Sequence, residues 1–406
     1  MSNKRILKAY ERYDYNGRVV SGSLLLRDRI PKNGKWRELT GYECCNDITT
    51  TSTTTTPSPS LFISTWRTSS PDESISLPYS IFGTYDGVID WGDSTTSPNT
   101  YEDRTHTYAI PGDYTVTING TIVEFSFNNG STAEKIISIS QWGNLQLGTS
   151  TFNFAGCINL DLSAVIDVLN LTGKTNLTNM FASCTSLTTI NRINEWDVSG
   201  VIIMENVFLN CNQFNQDLNG WDTSSVTDMN NVFSGAFSFN GNIGAWNTIN
   251  VTTMHNMFYY AAAFNQNIGL WNTGNLTTTL TMFEGASSFN NGGSPSINNW
   301  NTSSVTTMDN MFVAASSFNQ PIGNWNTSAV TSMSIMFANT SAFNQNISSW
   351  NVSSVSSMLA MFFNATSFNQ DLSGWCVTLI PSTPPNFDTG AAVWILPQPV
   401  WGTCPV

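Results

Sequence analysis

Residues 300–324 read WNTSSVTTMDNMFVAASSFNQPIGN, and residues 325–349 repeat the pattern as WNTSAVTSMSIMFANTSAFNQNISS. A fixed period of this kind is the signature of an array of stacked repeats. The longer spacing around residues 291–295 predicts a loop that bulges from one coil. With the degenerate units at residues 141–157 and 177–184, we expect about nine coils. The tryptophans that open the units lie 25 residues apart, except for one interval of 29, and are Trp196, Trp221, Trp246, Trp271, Trp300, Trp325, Trp350 and Trp375.

A single coil of this kind cannot fold alone, because its few aromatic side chains bury too little surface to offset the conformational entropy of ordering 25 residues. Neighbouring coils must therefore cover both of its faces. The repeat core is predicted to consist of Trp221, Trp246, Trp271, Trp300, Trp325 and Trp350, together with Phe233, Phe258, Phe283, Phe312, Phe337 and Phe362.

Within a coil, two spacings alternate. Apolar residues recur at helical intervals from Val226 to Phe233, whereas Phe214, Leu218 and Trp221 bracket a short extended stretch. Each coil should therefore pair a strand with a helical or irregular turn. The fold class that follows is mainly β with short helical turns.

Three elements recur together in residues 135–376: Val-Thr-x-Met-x-x-Met-Phe, Phe-Asn-Gln and the spaced Trp. This combination resembles the BspA-like leucine-rich-repeat family, which includes the DUF285 repeats of bacterial surface proteins. The resemblance implies a right-handed, curved solenoid that attaches to host molecules or to other cells. We expect the solenoid to span residues 131–375 and a C-terminal cap to span residues 376–406.

An asparagine follows the second Phe of each coil. We predict that these side chains form an internal ladder, whose amides satisfy backbone groups that stacking removes from water. The ladder consists of Asn215, Asn240, Asn265, Asn290, Asn319, Asn344 and Asn369.

The residues after this asparagine are the candidate ligand-contact face. They should project from the strand-bearing side as parallel polar rows that can hydrogen-bond a glycan or a protein, although plain solvated surface is the alternative. The candidate residues are Gln216, Asp217, Gln266, Asn267, Gln320, Gln345, Asn346, Gln370 and Asp371.

Residues 61–130 change to short alternating strands separated by turn residues, as in an all-β sandwich. Two motifs, VIDWGD at residues 88–93 and HTYAIPGDYTVTI at residues 106–118, resemble the PKD domain, an immunoglobulin-like module. The resemblance implies a spacer or adhesive module without chemistry. Trp91, Tyr108 and Tyr114 are its candidate core aromatics.

The charge is divided along the chain. Residues 1–40 carry ten basic and four acidic residues, whereas the rest carries five basic and twenty-four acidic residues and has no Lys or Arg after Arg192. Nucleic-acid binding by the C-terminal half is therefore disfavoured, because neutralising phosphates requires cations. No apolar run is long enough to span a membrane, and the start lacks the apolar stretch of a signal peptide.

The N-terminal segment, residues 1–48, is followed by a Thr/Ser/Pro-rich linker at residues 49–60. The region from Lys8 through Gly17 and Lys35 to Cys45 resembles N-terminal attachment segments of bacteriophage structural proteins. The resemblance implies that residues 1–48 bind virion structural proteins.

No catalytic signature is present, and we expect no enzyme activity, no cofactor and no metal. The two histidines, His106 and His255, lack an accompanying nucleophile motif. Asp86, Asp90 and Asp93 should be structural, with weak calcium binding as the alternative.

The cysteines do not indicate a metal site either. Cys157, Cys184 and Cys211 occupy a position where later coils have Ala, so a small buried role is expected. Cys376 and Cys404 flank the C-terminal segment and can bridge only in an oxidising compartment.

These features favour a virion-associated structural or adhesion protein, a phage fibre or decoration component, that displays the solenoid for attachment to a host surface glycan or protein. A bacterial cell-surface adhesin is the alternative, and a polysaccharide-degrading enzyme is a third hypothesis that lacks a recognisable acid pair. We expect a homo-oligomer on the virion surface, or on the bacterial cell surface under the alternative, with no nucleic-acid partner and no membrane insertion.

Overall fold

The computed structural model describes residues 8–13, 25–27, 35–38 and 61–405. The chain divides into two compact units, Met1–Thr56 and Pro57–Val406. Most of the predicted attachment segment, residues 1–48, and the whole predicted linker, residues 49–60, lie outside the described residues.

The first unit contains a three-stranded antiparallel sheet. Its strands are β1 (Lys8–Tyr13), β2 (Leu25–Arg27) and β3 (Lys35–Glu38), and their order is β2-β1-β3.

The second unit begins with strands in two sheets. One has the order β10-β4-β9-β6-β7, with β11 parallel to β9, and β5 pairs with β8 in the other. Alternate side chains of β4 are buried, as in a strand with one face on a core. The strands are β4 (Phe62–Thr68), β5 (Glu73–Ser76), β6 (Tyr79–Asp90), β7 (Thr96–Pro98), β8 (Thr105–Tyr108), β9 (Gly112–Phe125), β10 (Ile136–Gln141) and β11 (Leu145–Gln146).

Strand β10 joins this sheet to the repeats. It lies after residue 130, where the repeats were expected to begin, yet it pairs with β4. Its Ser138 also forms a parallel bridge with Asp161 in the next segment of the chain. The sheet and the first repeats therefore share one strand and one hydrophobic core.

Successive repeats pair through a column of isolated parallel β-bridges, one residue from each. This residue precedes the first Met of most units, in the Val-Thr-x-Met stretch. The column runs through Asn176, Ile203, Asp228, Thr253, Thr278, Thr307, Ser332 and Ser357.

Aromatic rings stack along the same direction. Phenylalanines of adjacent repeats stack with centroids 5.4–5.8 Å apart from Phe154 to Phe362. A second column from Phe214 to Phe368 has spacings of 5.8–6.0 Å. Every Trp and Phe that was expected in the repeat core is at most 3% exposed.

The long repeat accommodates its extra residues as two short 3-10 helices, Asn291–Gly293 and Pro295–Asn299, where a loop was expected. A third, Ile193–Glu195, precedes Trp196. No helix in residues 61–405 is longer than these three segments. The mainly β prediction is confirmed, and helical structure is confined to these three segments.

The position of the extended stretch was predicted wrongly. The bridges lie in the Val-Thr-x-Met stretch, whereas the segment from Phe214 to Trp221 has none among the described residues. The helical intervals after Val226 arise from turns. Backbone N–H groups there donate alternately to a carbonyl of the next repeat and to a carbonyl of their own repeat. Thus Phe233 N–H donates to Met257 O, and Ser234 N–H donates to Asn231 O.

The end of the described chain carries a disulfide between Cys376 and Cys404, whose Cα atoms lie 4.0 Å apart. Buried Phe387 and Trp394 cover the last stacked phenylalanine, Phe362, edge to face. The aromatic columns thus end against residues of the C-terminal segment.

Candidate binding surface

The predicted asparagine ladder is present, but its side chains are half-buried or exposed, so it is not internal. In each step the side-chain oxygen of one asparagine accepts the backbone N–H of the asparagine in the next repeat, at 2.8–3.0 Å. At the end, Asn369 Oδ1 accepts from the N–H groups of Ile395 and Leu396. The ladder therefore satisfies backbone donors along the stack.

The glutamines of the candidate face are held by the preceding repeat. Gln266, Gln345 and Gln370 each donate from Nε2 to both oxygens of the ladder asparagine one repeat earlier, at 2.8–3.1 Å. Gln216 exchanges two hydrogen bonds with the backbone of Ile190. These amide groups link neighbouring repeats through hydrogen bonds, and replacing them should destabilise the stack.

Gln320 differs from the other glutamines of the row, because it is only 8% exposed. It follows the repeat that carries the two inserted 3-10 helices, where Asn291 stands at the equivalent position. The glutamine row is therefore interrupted in the middle of the stack.

Asp217, Asn267, Asn346 and Asp371 are the exposed members of the face. In three of them the side-chain oxygen accepts an N–H two residues later in the chain, and Asp217 instead accepts the N–H of Asn242. Hydrogen bonds from Ser373 hold the pKa of Asp371 below its ordinary value. These four side chains shape turns and still present polar atoms to solvent.

Three aromatic side chains on the repeats, Phe237, Tyr259 and Tyr260, were not among the candidates. Phe237 and Tyr260 are 49% and 46% exposed, although most aromatic residues of the repeats are buried. The sequence contained a signal for Phe237 and Tyr260, because each replaces a smaller residue that other repeats carry at the same position.

The cluster around His106 is structural. Its Nε2 lies 2.7 Å from Asp93 Oδ2 and 3.4 Å from Thr95 Oγ1. A nucleophile–histidine–carboxylate triad needs the two partners on different ring nitrogens, and here both contact the same one. The ring stacks on Trp91 at 5.0 Å.

Asp93 is held in place by the same cluster. Burial raises the pKa of Asp93, but hydrogen bonds from Thr95 and His106 outweigh it and leave the pKa below its ordinary value. Asp90 accepts the N–H of Gly92 at 2.9 Å. Among residues 61–405, no three His, Cys, Asp or Glu side chains are grouped so as to hold a metal ion.

The three free cysteines, Cys157, Cys184 and Cys211, are buried, as predicted for small core positions. Cys184 Sγ lies 3.1 Å from Phe154 O, and burial raises the pKa of its thiol. In a later repeat the hydroxyl of Thr340 donates to Phe312 O at 2.6 Å. The position thus suits a small donor and is closed to metal and solvent.

Lys174 was also missed by the sequence reasoning. It is 4% exposed, and its ammonium group donates to the carbonyls of Gly148 and Ser150. Burial lowers the pKa of Lys174 to about 8, an effect that the nearby carboxylate of Glu124 opposes. Because its donors are occupied by backbone carbonyls, Lys174 joins neighbouring repeats and is not placed to bind a ligand.

One family profile, described as "Mycoplasma protein of unknown function, DUF285", matches residues 175–296 and 291–392, which together make up more than half of the chain. No curated protein and no solved structure matches the chain. The described part of the chain contains no helix long and apolar enough to cross a membrane.

Proposed function

Given that the chain belongs to the DUF285 family, we propose that it is a non-enzymatic attachment protein that displays its repeats to molecules on a host surface. One observation supports this proposal above the others. The buried positions of the repeats carry nearly the same residues throughout, whereas some exposed positions, such as those of Phe237 and Tyr260, differ from repeat to repeat. A constant core with a variable surface is the arrangement that repeat proteins use for binding.

The stacked repeats are proposed to form a right-handed solenoid of about nine coils, as the BspA-like resemblance implies. The parallel bridges and stacked rings between successive repeats support this architecture. The sheets at residues 62–146 are proposed to include a PKD-like sandwich that acts as a spacer.

The protein is proposed to reside on a virion, with residues 1–48 bound to virion structural proteins. The basic charge of this segment and its resemblance to phage attachment segments support the proposal. A bacterial cell-surface adhesin is the second candidate, supported by the family resemblance of the repeats. Both candidates assign the same binding role to the repeats and differ in what carries them.

Two measurements test these proposals. We expect purified full-length protein to adsorb to host cells and to compete with the particles that carry it, and immunogold should label intact particles. Label confined to bacterial cells would replace the virion by the adhesin alternative. Failure of the folded protein to adsorb to any host cell would reject the attachment function itself.

A further inference from the structure

Two exposed positions of the repeats depart from their pattern in adjacent units. Sixteen residues after the Trp, other repeats carry Asn, Ala, Ser or Thr, but one carries Phe237. Fourteen residues after the Trp, other repeats carry Asn, Gly or Ala, but the next carries Tyr260. Because the stack forms with small residues at these positions, packing does not require the two rings.

Tyr260 occupies its position at a cost to the backbone. Its φ is +54°, in the left-handed region that Asn and Gly tolerate far better than a bulky residue. Backbone strain of this kind is concentrated at binding and catalytic sites. Asn at the same position of three other repeats shows the less strained choice: Asn210, Asn339 and Asn364.

The next repeat leaves space for the ring of Tyr260. A Cβ atom on Gly285 would lie 2.8 Å from Cδ1 of Tyr260, so any other residue there would displace the ring. Tyr259 meets Tyr260 edge to face, with centroids 4.6 Å apart. Tyr260 is therefore fixed in place, although nearly half of its surface is open to solvent.

A carboxylate lies beside the two tyrosines. The N–H of Tyr260 donates to the backbone carbonyl of Glu284 at 2.7 Å, and the Glu284 side chain accepts from Asn310 Nδ2 at 3.2 Å. Burial raises the pKa of Glu284. Burial also raises the pKa of Tyr259, and the charge of Glu284 adds to this increase, as expected for neighbouring groups.

Phe237 belongs to the repeat before Tyr260. Its carbonyl accepts the N–H of Ala263 at 3.1 Å, and two residues earlier the N–H of Gly235 donates to Tyr259 O at 2.7 Å. Both links join the repeat of Phe237 to the repeat of the tyrosines. Phe237 and Tyr260 are therefore exposed on adjacent repeats that are joined directly by backbone hydrogen bonds.

We propose that Phe237, Tyr260 and Glu284 form the core of a binding subsite for a neutral glycan, which would make this the ligand of the attachment function proposed above. Exposed aromatic rings stack against the C–H face of a sugar, and the neighbouring carboxylate and amide accept and donate hydrogen bonds to its hydroxyl groups. A few precisely fixed polar groups beside apolar surface are typical of small-ligand sites.

The charge and the size of the subsite favour this ligand class over others. The chain has no Lys or Arg after Arg192, so an anionic glycan would find no cationic partner here. Two half-exposed rings supply far less than the roughly 1,200 Å² that a stable protein interface buries. A neutral oligosaccharide matches both constraints.

The repeats themselves provide the test variants. Phe237→Ser combined with Tyr260→Asn installs residues that other repeats carry at these positions, so the fold should be retained. Leu270→Asn is the matched control, because it removes an apolar side chain that is 85% exposed on the same repeat as Tyr260. Glu284→Gln tests the carboxylate separately.

The full-length protein and its variants are applied to an array of neutral, amino-sugar and anionic oligosaccharides, and the strongest hit is titrated by calorimetry. We expect the parent and the Leu270→Asn control to bind a neutral oligosaccharide with similar affinity. The double variant should bind at least about tenfold more weakly, since it loses two aromatic contacts. Glu284→Gln should weaken binding without changing the thermal transition.

Three results would overturn the subsite. Unchanged affinity of the double variant would place glycan binding elsewhere, and binding of anionic oligosaccharides alone would contradict the ligand class. If protease treatment of host cells abolishes adsorption while periodate oxidation of their glycans does not, the ligand is a protein. In each of these cases the attachment function survives, whereas a parent protein that adsorbs to no cells rejects that function independently.

Discussion

At the scale of single residues, two backbone positions with positive φ explain why the repeats do not form helices. They lie ten and fourteen residues after the Trp, and both adopt φ between +49° and +73° in all seven complete repeats. Asn and Gly predominate at these positions because they enter the left-handed region most readily. The helical spacing of the apolar residues is therefore compatible with turns, which the spacing alone did not reveal.

Two repeats place a β-branched residue at the first of these positions, Thr281 with φ +54° and Ile335 with φ +62°. We predict that Ile335→Asn raises the free energy of unfolding by about 0.5–1 kcal/mol, because four other repeats use Asn there and relieve the strain. Ile249→Asn serves as the control, since Ile249 is 47% exposed and does not have positive φ. Urea unfolding measures both.

The control should change the free energy of unfolding by no more than about 0.5 kcal/mol in either direction. If Ile335→Asn lowers the free energy of unfolding by as much as Ile249→Asn changes it, or by more, the left-handed backbone imposes no cost at this position. The preference for Asn and Gly would then need another explanation.

At the scale of one repeat, the Trp has a second role besides its stacking. Its indole N–H donates to a backbone carbonyl of the preceding repeat at 2.8–3.2 Å in seven successive units. Trp196 is the exception, since its Nε1 is buried without a partner among the described residues. Comparison of Trp196 with the other Trp residues therefore separates the contribution of packing to stability from the contribution of the hydrogen bond.

We predict that Trp325→Phe costs more stability than Trp196→Phe by about 1–2 kcal/mol. Both variants lose similar ring volume, but only Trp325→Phe loses a buried hydrogen bond, from its indole to the Ile297 carbonyl at 3.0 Å, and leaves that carbonyl with the Trp300 N–H as its remaining donor. The denaturant midpoints of the two variants measure this difference in stability. Equal losses would mean that the indole bond adds nothing to stacking.

The sequence predicted part of this organisation and missed part of it. The period, the aromatic core and the asparagine ladder followed from residue types that recur at fixed spacing, and each has one physical role. The strand was misplaced because Phe214, Leu218 and Trp221 are buried in a segment that forms no β-bridge, and burial alone does not distinguish such a segment from a strand. Residues such as Tyr260 were missed because they are exceptions to the repeat.

At the scale of the whole second unit, one aromatic core runs without a break through the repeats. Phe312 lies in the middle of it and stacks between Phe283 at 5.5 Å and Phe337 at 5.8 Å. In a stack whose units contact only their neighbours, a lesion in the middle separates the two sides, whereas a lesion at the end frays that end.

Limited chymotrypsin digestion of Phe312→Ser and Phe387→Ser tests whether the core is continuous. The fragments are identified by mass spectrometry, and the thermal transition of each variant is measured. Trypsin is unsuitable, because no Lys or Arg follows Arg192. Phe312→Ser should cost about 4 kcal/mol and expose aromatic sites on both sides of residue 312, while Phe387→Ser should expose only the C-terminal end. A chymotryptic pattern and thermal transition of Phe312→Ser that match those of the parent would contradict a continuous core.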